Sequence, residues 1–89
     1  MGKKTIGQGW PVFLVAEISA NHNMDFDRAL RLVDAAAAAG VDAVKLQTYT
    51  PDTMTIDCDT PYFKVNVNPE WAGKTLYQLY ASAFTPWQW

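Results

Sequence analysis

Eighty-nine residues, 49% hydrophobic and 13% aromatic, have the composition of a globular, water-soluble chain and exclude a disordered or low-complexity segment. A net charge of −2, with no basic run beyond Lys3 and Lys4, excludes polyanion binding as the main task, so neither a nucleic-acid nor a membrane partner is expected. No apolar stretch approaches the roughly 20 residues of a spanning helix and no signal-peptide core opens the chain, which predicts a cytoplasmic location; the single Cys58 supports neither a disulfide framework nor a cysteine-based zinc set.

Residues Met1 to Pro11, which include Gly7 and Gly9, read as a short lead-in of the kind that forms a hairpin at the bottom of a barrel. Val12 to Ile18 is a near-continuous apolar run, the pattern of a strand buried on both faces. Alternation places Phe13, Val15 and Glu17 on one face and Val12, Leu14, Ala16 and Ile18 on the other. Glu17 is therefore an ionisable group on an apolar face. Because an unpaired buried charge is costly, it belongs at the wet end of the strand or beside a cation. Two readings follow: a carboxylate that salt-bridges a neighbour, or a functional carboxylate at the C-terminal end of a strand, where open sheets and barrels of the β/α type do their work.

A polar loop, Ser19 to Met24, carries Asn21, His22 and Asn23. Asp25 is a plausible N-cap, with Asp27 in the first turn where the helix dipole favours negative charge. Phe26, Ala29, Leu30, Val33, Ala36 and Ala37 recur at helical spacing while Arg28, Arg31 and Asp34 fall outside that stripe, and Gly40 stands where a helix terminator is expected. Val41 to Gln47 then reads as a second buried strand, parallel to the first through a right-handed crossover, with Lys45 and Gln47 on one face. Parallel neighbours lie about 4.8 Å apart, so Lys45 reaches Glu17. It is either half of a structural ion pair or an anion-binding lysine held by a glutamate.

Thr48 to Thr85 is far longer than the roughly 2 to 6 residues usual for such a loop, which predicts that it covers the strand ends. It carries turn signals at Pro51-Asp52 and Pro61-Tyr62, a short helix over Lys74 to Ala83 with Leu76, Leu79, Tyr80 and Ala83 as its apolar stripe, and Trp71 placed to staple that helix. Thr85-Pro86 reads as an N-cap and N1 opening another helix. Two βα units with one complete helix make a poor core, so the chain is expected to be a piece of a larger barrel.

The blocks Ala16-Glu17-Ile18-Ser19-Ala20-Asn21-His22-Asn23 and Asp42-Ala43-Val44-Lys45-Leu46-Gln47-Thr48-Tyr49, followed by Leu76-Tyr77-Gln78-Leu79-Tyr80 and Thr85-Pro86-Trp87-Gln88-Trp89, resemble the sialic-acid (nonulosonic-acid) synthase family, and within it the branch that forms pseudaminic acid. Met24 departs from the family pattern, in which a glycine commonly follows Asn-His-Asn. The resemblance implies the first two βα units of a (β/α)8 TIM barrel, with the rest of the barrel and a C-terminal antifreeze-like domain outside residues 1–89, in a full-length homodimer. It implies a small-molecule reaction in which phosphoenolpyruvate condenses with a 2,4-diacetamido-2,4,6-trideoxy-altrose and phosphate is released. A divalent metal, Mn or Mg, assists in the full-length enzyme, held by histidines beyond Trp89, so no metal is expected on this segment, which alone is expected to be inactive.

The same resemblance places Lys45 and Gln47 on phosphoenolpyruvate, as charge and neutral donors, and Glu17 beside the reacting sugar as the catalytic candidate. Asn21 and Asn23 either bind sugar hydroxyls or stabilise the loop through Asx-type bonds. His22, a lone histidine, is expected to orient that loop and not to ligate metal. Two alternatives accompany this reading: a synthase for neuraminic or legionaminic acid, and a non-catalytic remnant that associates through open strand edges.

Overall fold

A computed structural model describes residues 2–66 and 68–89. Its sheet has two parallel strands, β1 (Val15–Ser19) and β2 (Ala43–Leu46), joined by helix α1 (Phe26–Ala38). Beyond β2 lie α2 (Pro51–Met54), a 3-10 turn (Pro61–Phe63) and α3 (Leu76–Ser82). These elements form a small, partial β/α arrangement; no closed barrel is among them.

The capping signals of α1 act as their chemistry requires. The Asp25 carboxylate accepts the Arg28 amide at 2.9 Å, and Gly40, at φ +82°, ends the helix. At that end the Gly40 amide donates to the Ala37 carbonyl and the Val41 amide to that of Ala36, the paired bonds of a Schellman stop. Of the apolar stripe, Ala29 is buried and Val33 and Ala36 are half-buried, whereas Phe26 and Leu30 remain about half exposed. Among the described residues Ile18, Ala29 and Val65 are the buried apolar side chains. The radius of gyration is 16.5 Å, against about 12 Å for a compact domain of this length, so the chain is open and not wrapped round its own core.

Both strands are shorter than the apolar runs that predict them. Val12 to Leu14 lie outside β1, with Val12 and Leu14 79% and 53% exposed; an apolar run reports a tendency to be covered, whereas a strand also requires a neighbour to pair with. The ladder reaches back as far as Leu14, whose carbonyl accepts the amides of Asp42 and Ala43. Residues 2–11 carry turns at 2–3 and 8–9 instead of the expected hairpin, and among the described residues no strand pairs with them. Lys4 and the Leu14 amide both bond the Asp42 carboxylate, which fastens the lead-in to the N-terminal end of β2.

The register pairs Val15 with Ala43, Ala16 with Val44 and Glu17 with Lys45, then slips, so that Ser19 and not Ile18 faces Leu46. Such a bulge turns the strand as it leaves the sheet. In the long connection, Pro51 and Pro61 each open a single turn of helix. An antiparallel bridge joins Lys64 to Thr75. Helix α3 starts at Leu76, two residues later than the expected Lys74: the Thr75 hydroxyl accepts the Gln78 amide at 3.2 Å and the Gln78 side chain accepts the Thr75 amide at 3.0 Å, a reciprocal cap. Tyr77 ties α3 to α2 by donating to Asp52, and the Tyr49 and Tyr80 rings meet edge to face at 5.5 Å.

Candidate active site

The register decides the first pair. With Glu17 directly across from Lys45, the ammonium lies 3.0 Å from the carboxylate. That hydrogen bond, and after it the lysine's charge, lowers the Glu17 pKa from its ordinary value, so the group is an anion at neutral pH. Ser19 is a weak further donor at 3.4 Å. Both side chains are half exposed or more, which leaves them reachable by a ligand.

The loop leaving β1 is built differently. Ser19, Asn23 and Met24 adopt positive φ of 55°, 53° and 58°, a left-handed backbone that L-residues other than Asn rarely hold without help. Met24, where the resemblance implies a glycine, holds a left-handed backbone of the kind glycine adopts freely. The help comes from His22, whose ring is fully buried: Nδ1 accepts the Met24 amide at 3.1 Å. Since Nδ1 is the acceptor, the neutral ring carries its proton on Nε2, which donates to the Thr85 hydroxyl at 2.9 Å. Thr85 in turn donates to the Ser19 carbonyl at 3.2 Å. Burial lowers the His22 pKa and so favours this neutral form. The Trp89 ring packs edge-on against His22, with centroids 4.8 Å apart.

Thr85 is thus not a helix N-cap. Residues 86–89 make one turn closed by the Trp89 amide on the Pro86 carbonyl, and the Thr85 hydroxyl faces inward. Its amide donates to the Gln47 carbonyl at 2.6 Å, so the long connection does return over the strand ends. There a cleft of about 260 Å³ opens, lined by Ser19, Asn21, Gln47, Tyr49, Trp71 and Tyr80 among others. An adjoining cleft is bordered by Asn21, Asn23, Glu70, Trp71 and Lys74. Trp71 lines both together with Leu79, but with Thr75 as the N-cap of α3 the staple position before it belongs to Lys74 and not to Trp71.

The sequence-derived residues accordingly fall into two groups. Glu17 and Lys45 meet on the sheet; Gln47 and Asn21 line the first cleft and Asn21 and Asn23 the second. The bulge after Glu17 separates the groups by rotating the strand exit. Tyr49, Trp71 and Tyr80 are visible in the sequence as parts of resemblance blocks, a helix stripe and a staple, but their place as walls of the cleft emerges only when the connection folds back. For a divalent metal the residues present do not fit: both His22 nitrogens are engaged, Glu17 is paired with Lys45, and among the described residues no three His, Cys, Asp or Glu side chains converge.

Residues 32–89 match the NeuB family. The chain belongs to that family. Over 78 residues, 88% of the chain, it is 46% identical to a pseudaminic acid synthase of Campylobacter jejuni, covering 22% of that protein. It is 43% identical to the pseudaminic acid synthase of Helicobacter pylori over 79 residues, 89% of the chain and 23% of the relative. The N,N'-diacetyllegionaminic acid synthase of Legionella pneumophila is 45% identical over 53 residues, 60% of the chain and 15% of that protein. The chain therefore spans less than a quarter of the length of these NeuB-type relatives. Among the described residues no helix is long and apolar enough to cross a membrane.

Proposed function

We propose that this chain is the opening βα segment of a cytoplasmic, homodimeric synthase that joins phosphoenolpyruvate to a 2,4-diacetamido-2,4,6-trideoxy-altrose, producing pseudaminic acid and phosphate. The observation that carries the reading is the Lys45–Glu17 pair, set 3.0 Å apart by register where two parallel strands end. The pseudaminic acid synthases at 46% and 43% identity support the choice of product.

In this reading the Lys45 ammonium offsets the charge of phosphoenolpyruvate, and the Gln47 amide adds neutral donors. Carbon 3 of the enolpyruvyl group attacks the aldehyde carbon of the open-chain sugar while water adds at carbon 2, and phosphate departs from the resulting adduct. The aldehyde oxygen takes up the proton that the water at carbon 2 releases, and Glu17, kept ionised by Lys45, accepts a hydrogen bond from a sugar hydroxyl or relays that proton. Asn21 and Asn23 face the sugar from the clefts. The divalent metal implied by the family takes its ligands from outside residues 1–89, and no role above depends on it.

The complete protein, assayed with phosphoenolpyruvate and each candidate sugar, tests this. Phosphate release and a product of the pseudaminic acid mass are expected with the altro-configured sugar. The legionaminic relative makes the manno-configured sugar the informative control: turnover of that sugar alone would overturn the choice. Lys45→Ala is expected to raise the KM for phosphoenolpyruvate about tenfold or more while leaving that for the sugar within about twofold. Unchanged dependence on phosphoenolpyruvate would reduce Lys45 to a structural ion pair.

A further inference from the structure

We infer that Thr85 is a positioning residue for the candidate site, anchoring the loop that leaves β1 against the exit of β2. The inference deepens the synthase reading, and its kinetic half rests on it. Thr85 is 3% exposed and reaches both strands at once. Its amide holds the Gln47 carbonyl at 2.6 Å and its hydroxyl holds the Ser19 carbonyl at 3.2 Å. Gln47, Ser19 and Asn21 line the same cleft; the Gln47 amide also donates to the Ser19 carbonyl at 3.2 Å, so Thr85 adds to a direct link between the two strand exits and alone ties that link to the buried His22.

Hydrogen counting fixes the direction of each bond. The Thr85 hydroxyl has one proton, given to Ser19, so it must accept from His22 Nε2; His22 Nδ1 then has a lone pair for the Met24 amide. The chain Met24 to His22 to Thr85 to Ser19 is satisfied at every step, and among the described residues no buried side-chain nitrogen or oxygen lacks a partner. It spans a loop in which Ser19, Asn23 and Met24 all have positive φ, a conformation that persists when the surroundings over-determine it. Removing the hydroxyl takes away the acceptor of His22 Nε2 and so loosens the loop that carries Asn21, Asn23 and Met24, whereas the backbone bonds of Gln47 to Ser19 and to Thr85 survive. The two substrates should therefore be affected unequally.

Thr85→Val in the complete protein keeps the side-chain shape and deletes the hydroxyl. The expected result is a rise of about tenfold in the sugar KM, with the KM for phosphoenolpyruvate within about twofold, and recovery in Thr85→Ser. Amide exchange of Asn21, Asn23, Met24 and Asp25 should quicken about tenfold while the α1 interior, Leu32 to Ala36, is unchanged. Both KM values rising together, failure of Thr85→Ser to rescue, or unchanged exchange in the loop would overturn the inference. Should Thr85→Val not fold, His22→Asn breaks the same link from the other side, since its amide oxygen can still accept from Met24 but cannot reach Thr85. An unchanged sugar KM and unchanged loop exchange there would overturn it equally. If the unaltered protein turns over neither sugar, the synthase reading fails, and the exchange measurement alone decides the role of Thr85.

Discussion

Two polar pairs flank the exit of the sheet, and they are constructed on opposite principles. Lys45 and Glu17 face each other 3.0 Å apart with side chains 60% and 50% exposed. His22 and Thr85 lie 2.9 Å apart with almost no solvent contact. An exposed ion pair adds little net stability because water and salt screen it. A buried hydrogen-bonded pair gains only modestly by forming, yet breaking it strands a partner away from water. The open pair is thus available to a ligand at small cost to the fold, and the closed pair shapes the ground on which the ligand sits. The proposed function thus puts its chemistry on side chains that the fold needs least.

Several substitutions break or sharpen that contrast. The largest effect is expected for Glu17→Gln, which keeps shape and removes charge: turnover of the complete protein should fall about 100-fold or more, with the urea unfolding midpoint unmoved. A loss of stability matching the loss of turnover would erase the distinction between the pairs. Next comes His22→Ala, which leaves the Met24 amide and the Thr85 hydroxyl short of a partner and opens a void. It should lower unfolding stability by about 2–3 kcal/mol in urea titration, and a drop no greater than that of a surface substitution would place His22 outside the scaffold.

Acidity should separate the pairs in different windows. Burial lowers the His22 pKa below its ordinary 6.5. Above that value the ring is neutral whether folded or unfolded, and contributes no pH dependence. As pH falls through about 6.5 the unfolded chain takes up a proton that the folded ring resists, so stability declines until the lowered folded pKa is passed. One proton limits this slope to about 1.4 kcal/mol per pH unit. Comparing His22→Asn with the parent between pH 7.5 and 5.5 isolates it, the variant losing less on acidification; parallel curves would refute the assignment. Glu17, with its pKa lowered from 4.5, acts in the other window, and its contribution is present above that value and lost as pH falls further. The smallest effect is expected at Met24, where a change to Gly removes a left-handed L-residue and should add about 0.5–1 kcal/mol of stability in thermal or urea unfolding. A destabilised variant would mean that the methionine side chain supports the loop.

The parts of this fold that could be read in sequence are those with local causes. Asp25 and Gly40 mark α1 because caps act within a few residues, and the Glu17–Lys45 contact follows once two strands are taken as parallel neighbours. The T-x-x-Q signature of Thr75 and Gln78 was equally local and sets the true start of α3. Thr85 is the opposite case. Beside Pro86 it has the local signature of a helix cap, yet its hydroxyl bonds residues 63 and 66 positions away, and no neighbouring residue announces that. Val12 to Leu14 illustrate a further limit, since hydrophobicity calls for cover without naming what provides it. The Tyr49, Trp71 and Tyr80 wall likewise depends on how the connection folds back, which spacing along the chain does not encode.

The hydrogen bond from the Thr85 amide to the Gln47 carbonyl has an evolutionary meaning beyond its geometry. Everything between those residues departs from and returns to a single point, as a cassette does in its socket. Closing such an excursion costs only slowly more as it lengthens, so its contents can be rewritten without disturbing the strands beneath. A lineage could retune which sugar is admitted by exchanging residues 48–84 while Glu17, Lys45 and Gln47 stay where they are. Under the proposed function, chimeras that trade this interval between synthases of different product are expected to shift towards the donor's sugar while the dependence on phosphoenolpyruvate stays that of the recipient.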